Sequence, residues 1–496
     1  MWYTVAMKIN ALSEKREAEI LRRLEEAGFE GYFVGGCVRE AIRKEMAQTA
    51  DRKVTPGGCG EESPREVITD TDIATDARPE QVKAVFHDMT VLDTGIKHGT
   101  VTVLFPADEL RTPEGPADDV NMENQGGRIP VEITTYRIDG KYSDGRHPES
   151  VQFTSSLEED LARRDFTVNA IACNRYGELT DPFGGAADIE ARIIRAVGDP
   201  EQRFREDGLR IMRALRFAAK LGYDIEPGTS EALSVCKGLL ADISAERIYS
   251  ELCKLVTGER AGDMVRRYTD VLGVVIPELL PMKGFAQNNP YHRYDVLEHC
   301  VRAMEVVETS EENAVYMKLA ALFHDIGKPE TYSEDENGIG HFYGHPSVSC
   351  RVCRDIMNRL HADNFTKDRL CRIVKYHDLV FEKDRRLLKR WMNRFGADMM
   401  LDILEIKKAD NSATGNMEES LKLKFDEIRV IMEQILEEQQ CFCLKDLAID
   451  GRDVIAAGVE PGPEVGRVLK RLLTDVIDEE LPNDKDVLRE HILTEN

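Results

Sequence analysis

Apolar and polar residues follow one another along this chain in two different rhythms. In the first, short strand-like runs are separated by polar stretches: GYFVGG (31–36), a segment near Thr69–Thr75, TVTVLF (100–105), VEITTYRI (131–138) and VQF (151–153). An amphipathic helix is expected over 8–30, where Ile9, Leu12, Ile20, Leu21 and Leu24 recur among charges and Gly28 stops the repeat. Polar stretches at 44–66, which carries TPGGCGEESP, and at 106–128 read as a loop and an insertion. Short strands with interposed helices describe an α+β domain with a small mixed β-sheet, ending near residue 195. From 196 onward the second rhythm takes over, almost wholly helical and without internal repeats. Seven of the eleven histidines (292, 299, 324, 341, 345, 361 and 377) fall between residues 290 and 415 of it. The pattern thus predicts an α+β head over 1–195, a helical neck over 196–289, a histidine-bearing helical module over 290–415 and a helical tail over 416–496.

Composition adds limits to this outline. A length of 496 residues fits about three or four domains, and 42% hydrophobic residues suffice for buried cores despite a net charge of −25. No run approaches the ~20 apolar residues of a membrane span. The best, Val271–Ile276, is stopped by Pro277 and Glu278. The start MWYTVAMKIN lacks the basic and apolar regions of a signal peptide, so a cytoplasmic chain without membrane contact is expected. Eleven scattered cysteines agree, since an odd number at irregular spacing makes a poor disulfide framework. Cys350 and Cys353 form a lone CxxC pair in a helical run, without the second pair a zinc site needs. The acidic balance argues against a nonspecific coat on nucleic acid but leaves room for a local basic groove.

Four segments of the N-terminal half carry candidate chemistry. In GGCVRE a strand runs into a helix: Gly35 and Gly36 let a phosphate approach the backbone, and Arg39 can fork onto its oxygens; the plainer reading is a glycine turn. In DTDIAT, Asp70 and Asp72 are two apart on an expected strand and share a face, an arrangement suited to Mg²⁺ or to a solvated acidic surface. Glu132 is a third carboxylate on a neighbouring strand, or an edge residue facing water. In RRDFTVNAIA, Arg164 suits a triphosphate and Asp165 a ribose hydroxyl, unless the two make a helix-capping salt bridge. In REDGLRIMRALRFAA, Ile211, Ala214, Leu215 and Ala218 make a core stripe that leaves Asp207 and Arg210 as neighbours on another face. Their carboxylate and guanidinium complement the amino and ring-nitrogen edge of cytosine or adenine, though a surface ion pair would look the same. Arg203–Lys220 holds six basic residues against Glu206 and Asp207, a basic patch in an acidic chain.

The ordered set GGCVR, DTDIAT, VEITTYR, RRDFTVNAIACN, DPFGG and REDGLRIMRALRFAAKLG resembles the class II tRNA nucleotidyltransferases, the CCA-adding enzymes, and their bacterial poly(A) polymerase relatives. The likeness covers about 9–225, and LAIDGRDVIAAGVEPGPEVGRVLKRLL (447–473) resembles the C-terminal segment of bacterial members. It implies a nucleotidyltransferase palm followed by all-α neck and tail domains that meet tRNA. It further implies template-independent addition of CCA to the tRNA 3′ end from CTP and ATP with Mg²⁺ as cofactor, releasing pyrophosphate by a two-metal mechanism. Asp70 and Asp72 would hold the metals with Glu132 assisting; Gly35, Gly36, Arg39, Arg164 and Asp165 would meet the nucleotide. Asp207 and Arg210 would read the base, and Arg213 and Arg216 would support triphosphate or RNA. Glu40 stands where the family usually has Asp, and the link from the glycine motif to the acidic pair is longer than usual by about 25 residues. The segment RIDGKYSDGRHPESVQF (137–153), with Gly140, Asp144, Gly145, Arg146 and Pro148, matches a flexible loop that CC-adding specialists lack in part, which implies completion of CCA by one chain. An A-adding specialist would also keep that loop, and poly(A) polymerase is the nearest rival.

The histidine-bearing module resembles the HD phosphohydrolase domain through His299 in YDVLEHCV, His324 and Asp325 in ALFHDIGKP, and Asp410 in KKADN. Such a ligand set suits a divalent metal that activates water. His345 and His377 would complete a second metal position, whereas His361 and His87 fit packing or solvent roles. A phosphohydrolase acting through this module, and a noncatalytic RNA-binding protein, are the alternatives to nucleotide addition.

Overall fold

The computed structural model describes residues 9, 12, 17–54, 71–106, 128–139, 151–290, 292–415 and 419–495. Asp70, the 106–128 insertion beyond its ends and the centre of the 137–153 segment lie outside them. The chain forms two compact units, Met1–Arg260 and Ala261–Asn496.

In the first unit, helix α1 (Ala18–Glu26) buries Ile20, Leu21 and Leu24 and ends just before Gly28, as expected; of the earlier part of the 8–30 repeat only Ile9, Leu12 and Glu17 are among the described residues. Strand β1 (Gly31–Val34) leads directly into helix α2 (Gly36–Val54). The expected loop from residue 44 is therefore corrected: EMAQTADRKV continues the helix because it contains no Gly or Pro and is rich in good helix formers. Strands β2 (Asp72–Thr75), β3 (Thr90–Gly95), β4 (Thr100–Pro106), β5 (Arg128–Thr135), β6 (Ala172–Cys173) and β7 (Leu179–Thr180) complete a seven-stranded sheet. Its order is β3-β4-β5-β2-β1-β6-β7, mixed because β2 and β5 run parallel while the other neighbours are antiparallel. β3 was not anticipated; its residues are mostly exposed at the sheet edge, so the apolar alternation is weak. The expected strand 131–138 is divided at buried Tyr136, after which 137–139 pairs antiparallel with 151–153.

Val34, Ala74, Tyr136, Leu161, Ala170, Ala172 and Val197 close a core on which α3 (Leu157–Ala162) and the RRDFT turn are seated. DPFGG fixes that turn from below. Asp181 accepts hydrogen bonds from Gly185 N (2.8 Å) and Ala186 N (2.9 Å), and a Cβ on Gly185 would stand 2.1 Å from the Thr167 carbonyl oxygen. The run 205–219 is not one helix. α4 (Pro200–Glu206) ends at Asp207, and α5 (Leu209–Leu221) restarts after Gly208 and buries the anticipated stripe. α6 (Ala245–Val256) packs on α5.

The second unit is helical apart from one short antiparallel pair, 333–334 with 340–341, among the described residues. Helices α7 (Val296–Val306), α8 (Ala314–Phe323), α9 (His345–Arg359), α10 (Asn364–Tyr376), α11 (Arg385–Phe395) and α12 (Ala397–Ala413) form its first part. A C-terminal cluster including Leu447, Val454, Leu472, Leu488 and Ile492 forms its last. No helix among the described residues is long and apolar enough to cross a membrane.

Candidate active site

Parallel pairing of β2 with β5 sets Asp72 directly beside Glu132, both on the exposed face of the sheet. Gly35 turns the chain from β1 into α2 at φ +73°, where a side chain is strained. A Cβ there would lie 3.4 Å from Asp72 Oδ2 and 3.6 Å from Arg164 Nη1, so the glycine keeps open the ground between a carboxylate and a guanidinium. At Gly36 the added carbon would meet Arg39 Nη2 at 3.6 Å. Asp70 lies outside the described residues.

Arg164 is aimed by two groups from its own segment: its Nη2 donates to buried Asp160 (3.2 Å) and its Nη1 to the Asn169 carbonyl (3.4 Å). Its Nε is buried without a hydrogen-bond partner. Arg39 donates to the Asn169 side-chain oxygen, and Asn169 Nδ2 donates to Asp165 Oδ1 at 3.0 Å. The other Asp165 oxygen accepts from Arg213 Nε at 2.8 Å. Asp165 is only 8% exposed and its oxygens are thus engaged by protein groups, which makes it a brace for Arg213 instead of the open ribose acceptor expected from the motif. Burial opposes ionisation of Asp165, yet the Arg213 guanidinium and Asn169 hold its carboxyl well below the usual range.

Phe217 gathers the cations. Arg39, Arg213 and Arg216 stand over its ring at 5.3, 5.4 and 3.8 Å. Arg216 also makes an ion pair with buried Glu251 at 3.0 Å, and its burial pulls its pKa down.

Asp207 and Arg210 do not pair with each other among the described residues, so the i,i+3 neighbour geometry expected for one helix is corrected by the break at Gly208. Asp207 accepts from Leu209 N at 3.0 Å and from Arg247 at 3.0 Å. Arg210, 8% exposed, donates to Glu206 (2.8 Å) and to the carbonyls of Arg163 (2.8 Å) and Arg203 (3.1 Å).

The second unit brings its histidines and aspartates together as the motifs anticipated. One donor atom each from His299, His324, Asp325 and Asp410 lies within 4.8 Å of the others, and Asp325, His345 and His377 meet the same measure. His299 Nε2 is 3.0 Å from Asp410 Oδ1 and 3.2 Å from His324 Nε2; His345 Nε2 is 3.2 Å from His377 Nε2. Helix ends orient the rings. The Nδ1 atoms of His324, His345 and His377 lie 2.7, 2.9 and 2.7 Å from the carbonyls of Ala321, Phe342 and Val374, which leaves Nε2 facing inward. Asp325 Oδ1 is buried near His345 and His377 without a well-aimed hydrogen bond, an orphaned oxygen that fits a cation. Lys328 sits 2.6 Å from its other oxygen. Burial opposes it, but His324 and Lys328 hold Asp325 well below the carboxylate range; burial pushes His377 down to about 4. Cys350 and Cys353 are free and adjoin no second cysteine pair in a metal cluster among the described residues.

Comparison with known proteins gives these sites a context. The family models matched are the poly A polymerase head domain over 31–195, the "Probable RNA and SrmB- binding site of polymerase A" over 222–282, and tRNA nucleotidyltransferase domain 2 over 342–492. The chain is 32% identical over 477 residues to the CCA-adding enzyme of Lactobacillus delbrueckii subsp. bulgaricus, covering 95% of this chain and 96% of that protein. It is 32% identical over 483 residues to the CCA-adding enzyme of Streptococcus thermophilus, covering 97% of each. This chain belongs to the CCA-adding enzyme family. The Bacillus stearothermophilus CCA-adding enzyme in complex with CTP superposes with a TM-score of 0.62 at 27% identity, covering 97% of this chain and 96% of that one. The Thermotoga maritima CCA-adding enzyme complexed with tRNA shares the fold, with a TM-score of 0.54 at 18% identity over 99% of this chain and 98% of that one. No HD-domain family model matches.

Against this CCA-adding enzyme background, the residues absent from the motif reading are those that hold the motif residues: Asp160, Asn169, Phe217, Arg247, Glu251 and Lys328. Asn169, Phe217 and Lys328 lie inside quoted motifs, and a polar residue in an apolar run was the available signal for Asn169. Arg247 and Glu251 carry no local signal, since they reach their partners from α6.

Proposed function

We propose that this chain adds C, C and A to the 3′ end of tRNA, taking CTP and ATP as substrates without a nucleic-acid template. The observation that carries the reading is the Asp72–Glu132 pair beside the Gly35 opening and Arg164, in a chain of the CCA-adding family. Asp70 and Asp72 would hold Mg²⁺ with Glu132 next to them, a hard oxygen donor set that fits this ion. Bound there, Mg²⁺ would lower the pKa of the tRNA terminal hydroxyl and stabilise the departing pyrophosphate. Gly35 and Gly36 admit the triphosphate close to the backbone, and Arg39, Arg164, Arg213 and Arg216 neutralise its charge. The hydroxyl oxygen forms a bond to the α-phosphorus, the α–β phosphoanhydride bond breaks, and pyrophosphate leaves. Asp207 and Arg210 offer the paired edge that accepts cytosine or adenine, and their release from Arg247 and Glu206 accompanies base binding. The neck and tail, 196–289 and 416–496, carry the tRNA.

The deciding incubation uses tRNA ending at the discriminator base with CTP, ATP or both. Completion of CCA supports the reading. Arrest after two C residues despite ATP indicates a CC-adding specialist, activity only on tRNA already ending in CC an A-adding one, and long adenosine tails a poly(A) polymerase.

A second reading, favoured by the orphaned Asp325 oxygen, gives the 290–415 module an HD-type phosphohydrolase activity. His299, His324, Asp325 and Asp410 would hold one divalent metal and Asp325, His345 and His377 another, supplying an activated water for a phosphoester such as a 2′,3′-cyclic phosphate or a 3′-phosphate on RNA. Phosphatase assays and metal analysis on the parent and Asp325→Ala proteins test it.

A further inference from the structure

Helices α9, α10 and α11 enclose a cavity of about 280 Å³ that neither proposed activity uses. Its lining is Cys350, Arg354, Cys371, Arg372, Lys375, Tyr376, Arg394 and Phe395, four cations and no carboxylate in a chain of net charge −25. Arg354 alone among the four has an acidic neighbour, Asp368 at 3.8 Å; Arg372, Lys375 and Arg394 make no ion pair among the described residues. Among the described residues Arg372 donates only to the Phe395 carbonyl, at 3.4 Å. Three uncompensated cations around one hollow repel each other unless an anion joins them. The other wall is aromatic: the Tyr376 and Phe395 rings are 4.6 Å apart, and Arg394 stacks on both.

We propose that this cavity is a second nucleotide site, in which Arg354, Arg372, Lys375 and Arg394 hold a phosphate ester and the Tyr376–Phe395 wall receives its base or sugar. A bare phosphate would leave the aromatic wall and most of the volume unfilled, whereas a ring attached to a phosphate satisfies both halves of the lining. Free nucleotide and a nucleotide within an RNA strand present the same chemistry. Cys350 reports on occupancy, because its sulfur lines the cavity. The Cys371 side chain pulls its thiol pKa down against the opposing effect of burial, and the nearby Arg354 and Lys375 add to this, which favours alkylation.

The experiment is alkylation of Cys350 in the full chain by iodoacetamide, read by peptide mass spectrometry with AMP, a short single-stranded oligonucleotide or inorganic phosphate present. At about ten times its Kd the ligand lowers the free fraction to about one-tenth, so alkylation slows roughly tenfold. Protection by AMP identifies free nucleotide as the occupant; protection by the oligonucleotide alone identifies an RNA residue. Either protection is lost in Arg372→Ala/Lys375→Ala and kept in Lys375→Arg, each compared with its own rate without ligand. No protection by AMP or oligonucleotide, equal protection in the double variant, or inorganic phosphate protecting as well as AMP overturns the proposal.

Discussion

Asp165→Asn tests the brace beneath the cationic site with the least change of shape. Asp165 is almost fully buried and receives Arg213 Nε at 2.8 Å, while the Arg213 side chain is 33% exposed. Breaking a fully buried ion pair costs about 3–5 kcal/mol, and solvent reaching Arg213 reduces this to about 2–3 kcal/mol. The sign with pH follows from the lowered carboxyl pKa. Stability from the ionised form is complete above the unfolded value of about 3.9 and is lost as pH falls through the lower folded value. The variant is therefore less stable than the parent by a constant amount near neutrality, and the gap narrows only below about pH 4. Hydrogen exchange on peptides covering 161–172 and 209–221 reads this locus apart from the rest of a two-unit chain. Equal protection of both peptides in parent and variant at neutral pH, or a gap that closes well above pH 4, would refute the brace.

The other predictions concern the chemistry itself. Asp72→Ala or Glu132→Ala lowers nucleotide addition to background while tRNA retention in a filter-binding assay stays near the parent; turnover close to the parent rate excludes the carboxylate assignment. Asp207→Ala slows CTP and ATP use and admits UTP or GTP, because a site of paired polar groups rejects mismatches by leaving them unpaired; unchanged selectivity returns Asp207 to a purely structural role with Arg247. Asp325→Ala lowers divalent metal content in mass-spectrometric metal analysis without changing CCA addition in proportion; equal metal in both proteins removes Asp325 from the ligand set.

The motif residues were legible because each chemistry depends on a short local spacing that secondary structure preserves. Asp72 and Glu132 illustrate this: alternation placed both on strands, and parallel pairing put them side by side. His299, His324, Asp325 and Asp410 were each legible from a short motif, and what the fold added was their convergence from separate helices. What escaped was set by partners far along the chain or by termini. Asp207 read as a helix-face residue because the stripe from Ile211 extends backward in sequence, while Gly208 in fact separates two helices and hands Asp207 to Arg247. The extent of α2 escaped because amphipathic period fades after Ile42 even though helix propensity does not.

The arginines of the proposed nucleotide site are already held by protein acceptors. Arg164 has Asp160, Arg213 has Asp165, Arg216 has Glu251, and Arg39 has Asn169. This arrangement limits ground-state affinity, since a triphosphate must share guanidiniums already partly neutralised. It also fixes each cation, so that little reorganisation accompanies the growth of charge on the phosphates during transfer. Asn169 is the point where these two effects meet, because it touches Arg39 through its side-chain oxygen, Asp165 through its amide and Arg164 through its carbonyl. Shortening it to Ala removes one partner each from Arg39, which keeps Glu40, and from Asp165 Oδ1, which keeps Phe166 N, while leaving every charge in place. A loss of turnover with little loss of CTP binding then assigns the network to positioning, whereas an equal loss of both assigns it to binding.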